Sequence, residues 1–106
     1  MGGGSVVAKR LKEARLQAGI SQKQLGIRAG IDEFSASPRI NQYEQGKHTP
    51  GFATVERLAK VLKIPTPFLY CRDDELAQWI LAYRSISDRE RQRIFNQQVT
   101  SRPKPR

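Results

Sequence analysis

Hydrophobic positions along the chain recur at helical intervals and never alternate for long. From Ser5 to Ala18, the apolar residues Val7, Leu11, Ala14 and Ala18 form one helical stripe, which Gly19 stops. Ser21 opens the next helix, and with Gln24 it matches the Ser-x-x-Gln capping box. Leu25 and Ala29 form its buried side and Gly30 its end. Gly26 stands inside that helix, where glycine costs about 1 kcal/mol relative to alanine. Its presence predicts a close approach by the backbone of a neighbouring helix.

A third helix is predicted from Ser37-Pro38, an N-cap followed by proline at the first helical position. It runs to about Gln45, with Gly46 as its C-cap. Thr49-Pro50 repeats the start signal for a fourth, whose core side is Phe52, Val55, Leu58, Ala59 and Leu62. Thr66-Pro67 opens a short fifth turn carrying Phe68, Leu69 and Tyr70. Short helices joined by tight turns make an all-α globule.

From Cys71 the pattern changes. Asp73 or Asp74 can cap a helix reaching Tyr83, with Leu76, Ile80 and Tyr83 on one stripe and Trp79 beside it. Ser87 with Glu90 reads as a second capping box, for a helix to about Val99. The MGGGS start and the SRPKPR end are flexible by composition. The chain therefore divides into a globule over 6–70, a helical extension over 71–99, and flexible termini at 1–5 and 100–106.

The third helix raises a question of its own. Only Ile40 and Tyr43 can dock it, which leaves Arg39, Asn41, Gln42 and Gln45 without a structural task. Charge narrows the answer. The 106 residues carry a formal charge of +9 and a sequence pI near 10.3, an excess that points to a polyanionic partner. No apolar run approaches the length of a membrane span, and no hydrophobic signal-peptide core follows Met1. Cys71 is the only cysteine, so no internal disulfide forms, as suits a reducing cytoplasm. It reads as an inert packing residue.

Catalytic and metal chemistry find no support. His48 is the only histidine, so a His-rich metal site cannot be built. Gly46-Lys47 resembles part of a phosphate-binding loop. That motif, however, needs glycine where Asn41 stands and Ser or Thr where His48 stands. No nucleophile or paired-carboxylate site emerges, so neither an enzyme nor a cofactor is expected.

Three segments taken in order carry a family resemblance: LKEARLQAGISQKQLGIRAG, INQYEQGKHTP and VERLAKVLKIP. They resemble the helix-turn-helix DNA-binding domain of the lambda-repressor and Cro type, over roughly 6–70. The carrying features are AGISQ at the second helix, Ile40, Glu44 and Gly46 closing the third, and Leu58, Ala59 and Leu62 in the fourth. One stretch departs from the pattern. Nine residues, Ile31 to Arg39, stand between Gly30 and Ile40, more than family members commonly have there. The expectation is a lengthened irregular turn over IDEFSA, with Phe34 tucked against the globule and Asp32 and Glu33 exposed.

The resemblance implies that the third helix enters the major groove of double-stranded DNA, where each base pair shows its own pattern of donors and acceptors. Ser37 at the helix start, Arg39, Asn41 and Gln42 are then the base-contact candidates. Gln22, Lys23, Lys47, His48 and Thr49 are the phosphate candidates, although Lys23, like Arg28, reads equally well as a solvated cation. Arg15 and Glu44 match the family's structural ion pair and stay off the contact list. The implied protein is a homodimeric transcriptional regulator, a repressor in most of the family. It would act in a bacterial or phage-associated cytoplasm, on the nucleoid. The same fold also serves as a protein-interaction module in antitoxins and coactivators, with 74–99 as the docking segment. The Leu76, Trp79, Ile80 and Tyr83 stripe is either a dimer seam or folds back onto its own chain.

Overall fold

Leu11, Leu25, Ile40, Val55, Leu58 and Leu69 come from five different elements and are all fully buried. Their convergence defines the core of the computed structural model, which describes residues 4–101, with side chains from 6 to 99. The rest of the MGGGS and SRPKPR ends lies outside the described residues. Helix α1 (Gly4–Ala18) buries Val7, Leu11 and Ala14 of the expected stripe, while Ala18 is exposed. Helix α2 (Gln22–Arg28) starts at the expected capping box. Ser21 Oγ accepts from the Gln24 N–H at 3.0 Å, and Gln24 Oε1 accepts from the Ser21 N–H at 2.9 Å. Its turn ends at Gly30, whose φ of +92° is a conformation that side chains disfavour.

Helix α3 corrects the reading of the long turn. It runs Glu33–Glu44, with Asp32 as N-cap accepting from the Phe34 N–H at 3.0 Å. IDEFSA is therefore mostly helix, Ser37 lies mid-helix and half-buried, and Pro38 is inside the helix. Phe34 is not tucked in; it is 84% exposed. Asp32 and Glu33 are exposed, as expected. The physical reason lies in α2. Gly26 leaves room for the fully buried Ala36 to seat directly on its backbone, so the first turns of α3 have a partner. That packing outweighs the proline, which withholds an N–H from the carbonyl of Phe34.

Helix α4 (Phe52–Leu62) is capped by Gly51, two residues later than the Thr49-Pro50 signal. Val55, Leu58, Ala59 and Leu62 face the core as expected, but Phe52 is exposed and stacks on Tyr70 with ring centroids 6.2 Å apart. Lys63 closes α4 in the left-handed conformation. A 3-10 turn, Thr66–Tyr70, then buries Phe68 and Leu69.

The C-terminal extension comprises α5 (Asp74–Tyr83) and α6 (Asp88–Ser101). Asp73 caps α5, its Oδ1 accepting from the Leu76 N–H at 2.8 Å. Ala77 is the residue α5 buries completely, with Ile80 and Leu81 packed beside it. The helix thus packs back onto its own chain through these residues, while Leu76, Trp79 and Tyr83 of the stripe stay more than half exposed.

Arg10, only 3% exposed, fastens this extension to α1. It donates to the carbonyls of Cys71 (2.8 Å) and Arg72 (3.1 Å), to Asp74 Oδ1 (2.8 Å) and to Glu13 Oε1 (3.0 Å). Arg91 does the equivalent at the next junction. It donates to the Tyr83 and Ile86 carbonyls, pairs with Asp88 and lies 4.3 Å from the Tyr83 ring centre. Of the expected second capping box, the Ser87 side chain accepts from the Glu90 N–H at 3.2 Å, while Glu90 pairs with Arg93. Beyond this junction α6 packs extensively on no other described element, and Ile94, Phe95 and Val99 are exposed. The radius of gyration is 16.5 Å, against about 13 Å for a compact chain of this length.

Candidate nucleic-acid interface

The inner face of α3 is Ala36, Ile40 and Tyr43, all buried. At 100° per residue the opposite face is then Phe34, Pro38, Asn41 and Gln45, with Gln42 alongside. All are exposed except Gln42, which is half-buried. Arg39 is exposed on one flank, and Ser37 is half-buried on the other. Helical spacing therefore places Gln42 beside Arg39 on one side of the outer face and Asn41 beside Ser37 on the other. Gln45 belongs with the amides, and helical spacing from Ile40 and Tyr43 was enough to find it.

The far end of α3 is fixed by a polar network. Glu44, with a 3% exposed side chain, takes a two-point hydrogen bond from Arg15, Nε to Oε2 at 2.6 Å and Nη2 to Oε1 at 3.1 Å. Arg15 also donates to the Ile20 carbonyl at 3.0 Å, tying α1 to the start of α2. The hydrogen bond to Glu44 holds the Arg15 guanidinium above its ordinary pKa, against the opposing pull of burial. Gln22 at the start of α2 shares its Nε2 between Glu44 Oε1 (3.0 Å) and Asn41 Oδ1 (3.2 Å). Asn41 therefore has its oxygen oriented by the scaffold, and its amide nitrogen points the other way.

Around this face lie cations and short polar groups. Lys23 is exposed one residue into α2, next to the half-buried Gln22. After α3, Gly46 turns the chain at a φ of +73°, and Lys47, His48 and Thr49 follow in an exposed loop. That loop stays close to the helix because the Gln42 carbonyl accepts from the N–H groups of Lys47 (2.9 Å) and His48 (3.4 Å). The arrangement suits an elongated polyanion: amides on the outer face of α3, with exposed Lys23 on α2 and Lys47 in the loop that follows. Sequence reasoning missed Arg10. A cation at helical spacing from Val7 and Ala14 gives no sign that it will be buried.

Among the described residues, no group of three or more His, Cys, Asp or Glu side chains could hold a metal. No described helix is long and apolar enough to cross a membrane. Cys71 is buried, its thiol 3.3 Å from the Asp73 carbonyl oxygen.

The helix-turn-helix family matches residues 11–69, from the middle of α1 to the end of the 3-10 turn. No curated protein matches the chain. Among solved structures, the crystal structure of the transcriptional regulator BswR is 49% identical, covering 84% of this chain and 88% of that one, with a TM-score of 0.79. With α2 and α3 packed as a helix-turn-helix and the match covering more than half of the chain, the chain belongs to the lambda-repressor and Cro type of helix-turn-helix DNA-binding transcriptional regulators.

Proposed function

We propose that the chain is a sequence-specific repressor that binds duplex DNA as a homodimer, each copy laying α3 in the major groove of one half-site. The observation that carries this reading is the division of α3 into a buried apolar face and an outer face of amides. Asn and Gln pair with adenine edges and Arg with guanine. Asn41 and Gln42 are thus the central readers, with Arg39 and Ser37 reading from the flanks. Gln22, Lys23, Lys47, His48 and Thr49 meet the phosphates on either side and set the register without reading sequence. The similarity to a transcriptional regulator supports the regulatory role.

Dimerisation falls to 71–99. Leu76, Trp79 and Tyr83 with Pro65 and Pro67 line an apolar recess of about 340 Å³, and α6 offers a second uncovered apolar strip. Two copies can cover both by exchanging these surfaces. The same exposed surface is the observation favouring the second reading, a protein-interaction module of the antitoxin or coactivator kind.

Binding to a site selected from random DNA, measured against salt, tests the choice. A regulator loses affinity steeply with salt, and Lys47→Ala flattens the slope by about one phosphate's worth. Gln42→Ala weakens the selected site by about 1–3 kcal/mol and leaves random DNA almost unaffected. Failure to enrich any site, with salt-insensitive binding to a protein partner, would establish the second reading instead.

A further inference from the structure

Phe34 is the most exposed large apolar residue of the described chain, and it stands in the first turn of the recognition helix. Its position on that helix is specific. Pro38 follows four residues later and Asn41 seven, both on the face opposite Ala36, Ile40 and Tyr43, with Gln42 alongside. The ring and the pyrrolidine therefore extend the line of amides toward the helix N-terminus by about 10 Å, two helical turns. The extension exists because α3 starts at Asp32 rather than at Ser37. Two acids stand on the N-terminal side of Phe34: Glu33, exposed in the same turn, and the N-cap Asp32, whose carboxylate accepts from the Phe34 N–H.

Phe34 shares the outer face of α3 with Pro38 and the exposed amides of Asn41 and Gln45, so a partner lying along that face must offer both hydrogen-bonding groups and apolar features. In the major groove the apolar feature is the C5-methyl group of thymine, which aromatic and aliphatic side chains contact. Resting on the reading of α3 as the groove-entering helix, we propose that Phe34, backed by Pro38, recognises a thymine methyl, so that the outer face of α3 reads with an apolar half and an amide half.

The test replaces each thymine of the selected site in turn with deoxyuridine, which removes the methyl and leaves every hydrogen bond. For the native protein, one position in each half-site should lose affinity about fourfold, the worth of burying one methyl group. Phe34→Ala should bind the thymine and deoxyuridine sites equally, and Phe34→Leu should keep part of the preference. Gln42→Ala should retain the full preference while losing affinity elsewhere in the site. Because the ring is exposed, the melting temperature of Phe34→Ala should match the native value. A native protein indifferent to every substitution, or a Phe34→Ala variant with an unchanged thymine preference, overturns the proposal and leaves the role of Gln42 standing. Failure to select any site overturns both readings. A change of oligomeric state in Phe34→Ala with site preference intact overturns the proposal and assigns the ring to a protein contact.

Discussion

A β-carbon placed on Gly26 would sit 2.7 Å from the Cβ of Ala36 and 3.0 Å from its carbonyl oxygen. This contact between α2 and α3 sets their crossing, and through it the orientation of the outer face of α3. Gly26→Ala gains about 1 kcal/mol in helix propensity. It must also push α3 away, and overpacking of this kind costs about 1–3 kcal/mol. The net expectation is lower stability in urea denaturation, with DNA affinity falling further than stability alone explains. Adding Ala36→Gly should recover the close approach and part of the DNA affinity. Unchanged affinity in Gly26→Ala would show that the crossing has slack.

Arg15 and Glu44 join α1 to the end of α3 through a nearly buried ion pair. Removing one partner strands the other charge, which typically costs about 3–5 kcal/mol. Glu44→Ala should also release Gln22, which bonds to the same carboxylate. Replacing Arg15 and Glu44 together with apolar residues of similar volume should cost less than the two single losses combined. A double-mutant cycle in chemical denaturation measures this, and strict additivity would mean the pair is not coupled.

Asp74 gives the extension a pH dependence. The hydrogen bond from Arg10, and then that from Lys9, holds its carboxyl below the ordinary value of 3.8 at which it titrates when unfolded. With the folded value depressed, its contribution is complete above 3.8 and disappears as pH falls through the folded value. The fluorescence of Trp79, on α5, should report loosening of α5 in that acid range. Asp74→Asn should remove the acid step and leave the neutral-pH spectrum nearer the acid form. An identical step in both proteins would assign it to another carboxyl.

Trp79 is 62% exposed yet lies beside the apolar recess on α5. Trp79→Asp should convert dimer to monomer in sedimentation velocity and weaken operator binding. Stability of the folded chain should stay within about 0.5 kcal/mol, the usual effect of a surface change. A large stability loss without a change in mass would place the indole in the chain's own packing instead.

Helix existence and the core-facing residues were legible because apolar spacing is a local signal: Leu11, Leu25, Ile40 and Leu58 each announce a buried face within one or two turns of chain. The capping box of Ser21 and Gln24 was legible for the same reason, since all its groups lie within four residues. The α3 inner face, and hence the outward position of Asn41 and Gln42, followed from Ile40 and Tyr43 alone. The start of α3 did not. Ser37-Pro38 is a valid local start signal, and it was overridden by Ala36 seating on Gly26, a contact between residues ten apart in the chain. Arg10 was equally invisible, because its burial depends on carbonyls of Cys71 and Arg72 more than sixty residues away. Sequence by itself thus determined which faces are apolar and which helix presents amides, properties set by neighbours on one helix. Only the tertiary structure decided where α3 begins and how the extension is fastened to α1, since those depend on free-energy gains from groups that meet only when the chain is folded.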